Sequence, residues 1–168
     1  MKLGFIDIEA SGLSEDSFPL EIGWTIDGDY VESFLVKPDK QWNINSWSNE
    51  AKKLHNIELK DVIDFGNENE KIAKKMNEDL EGFVLLSDSV SHDIRWVNMI
   101  FSASLIERKF KIVSIEKFLK RIGLSDKDIF ESFQFGREQC PPNNTVTDDA
   151  KFLYFSTSHA LKKSSYGK

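Results

Sequence analysis

Apolar and polar residues alternate with different periods along this chain, and each change of period marks an element. The apolar run from Lys2 to Ile8 carries two acids, Asp7 and Glu9, one residue apart. Successive side chains of a strand point to opposite faces, so Asp7 and Glu9 share a face with Leu3 and Phe5. Apolar residues on both faces predict a central, covered strand, and Gly12 ends it where a ligand can approach the backbone closely. The plain alternative is an edge strand with both acids in water. Two further strands are predicted over Leu20 to Ile26 and Tyr30 to Val36. Asp27-Gly28-Asp29 between them is a hairpin signal, so they should be antiparallel neighbours.

Helical spacing takes over later. Short helices are expected around Asn49 to Leu54 and Glu58 to Val62, and a longer one over Asn67 to Leu80, where Ile72, Met76 and Leu80 recur every four residues. Gly82 breaks it. Phe83 to Leu86 reads as a short buried strand, followed by a polar loop from Ser87 to His92. A helix from Asp93 to about Leu105 has Trp96, Val97 and Ile100 on the stripe of Asp93. A strand near Phe110 to Val113 and helices around Ile115 to Ile122 and Asp126 to Phe133 come next. After Pro141-Pro142, a last helix runs to about Lys162 with Val146, Asp149, Ala150, Leu153, Thr157 and Ala160 on one stripe. Strands with a hairpin, then helices alternating with short strands, predict an α/β fold: a central mixed sheet flanked by helices.

Composition narrows the class. With 168 residues, 40% hydrophobic and 30% charged, the chain reads as one globular domain over residues 1–163, with a frayed tail over 164–168. The single cysteine, Cys140, excludes an internal disulfide and suits a reducing compartment. No run approaches a membrane span and the start lacks a signal pattern, so the cytoplasm is the expected location. A net charge of −6 argues against a binder that holds nucleic acid by overall attraction, but acids gathered around bound cations leave a local positive site. The basic residues of the second half, among them Lys109, Lys120 and Lys163, read mainly as solvated faces.

Four acids then stand at positions assigned to the interior: Asp7 and Glu9 on the first strand, Asp93 at a helix start, and Asp149 on the last helix. Converging carboxylates repel unless cations hold them. Magnesium or manganese, which choose carboxylate oxygens, are the natural occupants, as two ions about 3.5–4 Å apart. Such a pair suits phosphodiester hydrolysis. With no thiolate spacing, zinc is not expected.

The stretches Phe5-Ile6-Asp7-Ile8-Glu9-Ala10-Ser11-Gly12, Leu20-Glu21-Ile22-Gly23, Leu54-His55-Asn56-Ile57, Ser87 to Asp93 and Asp148-Asp149-Ala150 together resemble the DEDD-type 3′-to-5′ exonucleases of the ribonuclease H-like fold. That family includes proofreading subunits, ribonuclease T and oligoribonuclease. The resemblance implies that Asp7, Glu9, Asp93 and Asp149 hold the metals. It also implies that the backbone from Ala10 through Ser11 and Gly12 to Leu13 lies against the terminal nucleotide, with Leu13 wedged beside its base. DNA or RNA 3′ ends are the implied partners, with a homodimer admitted as the assembly and no membrane involved.

One position departs from the pattern. In the histidine branch a His lies five residues before the last Asp and acts as general base; here that residue is Asn144. The tyrosine-branch position is Thr145. Neither takes a proton near neutral pH, and general-base help is worth about 10²–10⁴ in rate, so a weakened enzyme is expected. Asn144 also suits the N-cap of the last helix. His92 is the nearest other base in sequence, though its stripe turns it away. His55 reads first as a hydrogen-bonded structural histidine, with substrate positioning as the alternative, Glu21 as a group that orients a neighbour or the substrate's sugar, and Trp42 and Trp47 as packing. The rival functions are a catalytically retired module that binds nucleic-acid ends or a protein, and a metal-dependent phosphohydrolase of small nucleotides.

Overall fold

The computed structural model describes residues 1–164. Among them, a five-stranded sheet and seven α-helices follow the chain order β1 (Leu3–Ala10), β2 (Pro19–Thr25), β3 (Glu32–Leu35), α1 (Asn49–His55), α2 (Leu59–Phe65), α3 (Asn69–Leu80), β4 (Val84–Ser87), α4 (Val90–Ser104), β5 (Lys111–Ser114), α5 (Ile115–Arg121), α6 (Asp126–Gln139) and α7 (Val146–Lys163). The strand order is β3-β2-β1-β4-β5. β1, β2 and β3 are antiparallel, whereas β1, β4 and β5 run parallel. β1 is therefore central, as its two apolar faces require.

Each face of the sheet has its own core. On one, Ile6, Ile8, Ala10, Ile22 and Trp24 pack on α3 through Ile72 and Met76 and on α4 through Trp96, Val97 and Ile100. On the other, Phe5 and Leu86 meet Ile115, Leu119, Ile129, Phe152 and Leu153 of α5, α6 and α7. The alternation of β1 thus sends Asp7 and Glu9 to the α7 side, next to Phe5, whose ring meets Tyr154 edge-on at 5.6 Å. The hairpin forms at Asp27-Gly28-Asp29, where Gly28 has φ +79° and its N–H donates to Thr25 Oγ1.

Several boundaries move for local reasons. α4 begins at Val90, which places Asp93 in its first turn. α6 continues to Gln139 instead of stopping at Phe133, because Gly136 lets it lie against Phe152 and Ser156 of α7. The expected cap at Asn144 is corrected: Thr145 is the N-cap of α7, its hydroxyl accepting from Asp148 N, and Asn144 lies just outside with φ +51°. Ser164, which the sequence reading put in the tail, is 6% exposed and closes α7 through its N–H to Ala160 O. The remainder of that tail, residues 165–168, lies outside the described residues. No helix among the described residues is long and apolar enough to cross a membrane.

Candidate active site

β4 pairs with β1 only as far as Phe5 and Leu86, so β1 runs on past the end of β4, and the candidate acids gather there. Asp7 and Glu9 come from the last half of β1. Asp149 comes from the first turn of α7, brought down by a contact directly beneath it. Gly23 lies opposite Asp7 in the β1–β2 register, and a methyl group on it would sit 2.7 Å from Val146 Cγ2. The missing side chain lets α7 settle onto the sheet. As a result, one carboxylate oxygen from each of Asp7, Glu9 and Asp149 lies within 4.8 Å of the others. Asp93 arrives from the opposite layer, in the first turn of α4. It is 1% exposed, and its Oδ2 accepts from Ser87 Oγ at 2.5 Å. It stands outside the tight group of three, close enough for its charge to be the largest electrostatic influence on Asp7.

No lysine, arginine or histidine among the described residues pairs with any of these four acids. Burial, then the charges of Asp93, Asp149 and Glu9, hold the Asp7 carboxyl well above the ordinary range. Burial pushes Glu9 up to about 7, with Asp149 and Glu21 adding to it. Asp93 is pushed to about 7 by burial, against the pull of the Ser87 hydrogen bond. Burial raises Asp149 to about 6, opposed by the backbone N–H of Asn143, which donates to Asp149 Oδ1 at 3.0 Å. Asp7 Oδ2 is buried with no hydrogen-bond partner. An orphaned carboxylate oxygen amid uncompensated acids is the setting a hard divalent cation fits, and an all-oxygen donor set suits magnesium or manganese.

Beside the acids opens a cavity of about 400 Å³ lined by Asp7, Glu9, Ala10, Gly12, Leu13, Glu50, Leu54, His55, Asp93 and Trp96, among others. Leu13 is 73% exposed and Leu54 62%, so the mouth is apolar. Ser11 is different. It is buried; its Oγ accepts from Phe18 N and its N–H donates to Phe18 O, while its carbonyl accepts from Ser48 N. Its groups are spent on holding the loop after β1 against α1. His55 lines the cavity, its Nδ1 accepting from Ile57 N, and burial lowers its pKa. His92 stacks on Trp96 at 5.5 Å and is not among the cavity residues. Trp42 packs on Phe18. The basic residues singled out earlier are largely paired on the surface, as in Lys109 with Glu81 and Lys120 with Glu116.

Sequence reasoning overlooked three contributors. Glu50 and Leu54 share a face of α1 at a spacing of four, a signal present in the chain. Asp88, read as loop, adds negative charge that raises Asp7, Asp93 and Asp149. Its nearness to the β1 acids follows only from the β1–β4 register.

No protein-family model matches this sequence, and no curated protein matches it either. Solved structures do. E. coli Exonuclease I in complex with a dA16 oligonucleotide aligns with a TM-score of 0.69 at 13% identity, covering 98% of this chain and 41% of that one. The fold is shared with Exonuclease I. A zinc-bound E. coli Exonuclease I–ssDNA complex gives 0.64 at 12% identity, over 98% of this chain and 41% of that one. A moderately thermophilic Exonuclease I from Methylocaldum szegediense gives 0.63 at 10%, over 96% and 40%. The chain spans about two fifths of the length of these Exonuclease I structures. At such identity the likeness establishes the α/β, ribonuclease H-like fold, and Exonuclease I carries that same fold over its matched part.

Proposed function

We propose that this chain is a 3′-5′ exonuclease domain of the DEDD type that uses two divalent cations, magnesium or manganese, and works slowly because Asn144 occupies the general-base position. The observation that carries this reading is the convergence of Asp7, Glu9 and Asp149 within 4.8 Å, with Asp93 behind them and no basic side chain among the described residues paired with any of the four. The Exonuclease I fold, and the oligonucleotide and zinc complexes solved for Exonuclease I itself, support it.

Each residue has a task. Asp7, Glu9, Asp93 and Asp149 would hold the cations. When bound, such ions make water more acidic and neutralise charge developing on a phosphodiester. The cavity beside them accommodates a terminal nucleoside: Leu13 and Leu54 offer apolar surface to the base, and Ala10 and Gly12 form part of the wall beside the sugar. Ser11 serves indirectly, by bracing that loop. The backbone of Asn143 orients Asp149, while the Asn144 side chain, an amide, takes no proton. Without a proton acceptor at position 144 the rate would be about 10²–10⁴ lower.

A second reading rests on the same Asn144: a module that binds 3′ ends without cutting. Labelled DNA and RNA oligonucleotides, incubated with magnesium or manganese, separate the two. Slow shortening from the 3′ end by the unaltered protein, faster by Asn144→His and lost in Asp7→Asn, is the expected result. Retention of the oligonucleotides without shortening by either protein supports the binding module. Internal cuts, or hydrolysis of mononucleotides alone, overturn the exonuclease reading.

A further inference from the structure

Ser87 closes β4, is wholly buried, and pairs in the sheet with Ser114 of β5. Its hydroxyl donates to Asp93 Oδ2 at 2.5 Å. The carboxyl torsion of an aspartate is broad and two-fold, so nothing intrinsic to Asp93 selects which oxygen faces Asp7 and Glu9. The backbone supplies no selection either: Asp93 N–H is committed to Ser89 O within the helix turn, and the side chain is 1% exposed, beyond the reach of solvent. With Oδ2 taken by Ser87, Oδ1 is the oxygen left for the acid cluster.

We propose that Ser87 is a positioning residue, which fixes Oδ2 of the Asp93 carboxylate so that the other oxygen stays available to a divalent cation held together with Asp7. The role rests on the metal-holding function proposed above for Asp93. Carboxylates that ligate metals are themselves hydrogen-bonded, and loss of such an outer partner costs about 10–100-fold in metal affinity. A serine that merely fills space at the end of β4 would affect folding and leave cation affinity alone. The hydrogen bond also favours the charged carboxylate over the protonated one, in opposition to burial.

The test is calorimetric titration of the full chain with manganese chloride, comparing the unaltered protein, Ser87→Ala and Ser87→Thr, with circular dichroism to establish that each is folded. Ser87→Ala should bind Mn²⁺ about 10–100-fold more weakly, and Ser87→Thr, which keeps the hydroxyl, should restore most of the affinity. Equal affinity in Ser87→Ala and the unaltered protein, or a threonine variant as weak as the alanine one, overturns the role of Ser87 alone. Absence of Mn²⁺ uptake by the unaltered protein overturns it together with the reading of the four acids. Should Ser87→Ala prove unfolded, Ser87→Cys replaces it, a weaker donor of similar size with the same expected loss.

Discussion

Gly23 and Val146 touch where any side chain on the glycine would collide: a Cβ there would lie 2.7 Å from Val146 Cγ2. Gly23 is opposite Asp7 in the sheet and Val146 stands three residues before Asp149, so this contact sets the height of the third acid above the first two. Gly23→Ala should therefore act on the site through packing. Overpacking of this kind costs about 1–3 kcal/mol. Thermal melting should fall accordingly, and manganese affinity should drop in the fraction that remains folded. Unchanged affinity would mean that Asp149 does not depend on this contact.

The acids make stability depend on pH in a definite direction. Glu9 and Asp93 at about 7 and Asp149 at about 6 retain protons in the folded protein that the unfolded chain releases near its ordinary carboxylate range. The folded state binds more protons, so stability of the cation-free protein falls as pH rises from about 4 to about 7. Melting in EDTA at pH 5 and pH 8 should give the lower midpoint at pH 8. Magnesium or manganese should raise the midpoint more at pH 8 than at pH 5, since cations compete with protons for the same oxygens.

Glu9 faces Glu21 directly across the β1–β2 pair, and Glu21 is raised by burial. Like charges directly opposite are destabilising by about 0.2–1 kcal/mol. Glu21→Gln should stabilise the cation-free protein by that amount at pH 8 and by less at pH 5, where Glu9 is protonated. A midpoint unaffected at both values would remove Glu21 from the electrostatics of the site.

Asn144 holds φ +51°, a left-handed conformation that costs most side chains about 1–2 kcal/mol. Asn144→Gly should be tolerated, and Asn144→His folds well because histidine also enters this region readily. Asn144→Val should lower stability by about 1–2 kcal/mol and loosen Asp149, whose Oδ1 relies on the neighbouring Asn143 N–H. Denaturant titration of the three variants checks the order Gly, His, Val.

Much of this was legible in one dimension. Alternation along β1 placed Asp7 and Glu9 on one face because strand side chains have a period of two whatever the strand packs against. Helical period put Asp93 on the buried stripe of α4 and Asp149 among the inward residues of α7, and the Asp27-Gly28-Asp29 turn announced the β2–β3 hairpin. These are local rules, and the local sequence carries them. The cap of α7 shows their limit: Asn144 and Thr145 are both good caps, and only the backbone path, left-handed at Asn144, selects Thr145.

What folding decided is distance. Nothing in the order of residues says that Gly23 lies beneath Val146, that Ser87 binds Asp93, or that Ser11 turns inward while Gly12 and Leu13 border the cavity. Each depends on register between strands far apart in the chain and on how closely a helix packs on a sheet. So the sequence by itself determined which acids face inward, through the periods of strand and helix. The tertiary structure alone decided that Asp7, Glu9 and Asp149 crowd within 4.8 Å while Asp93 is held to one side by Ser87, because packing between layers, not periodicity, sets the separation of charges.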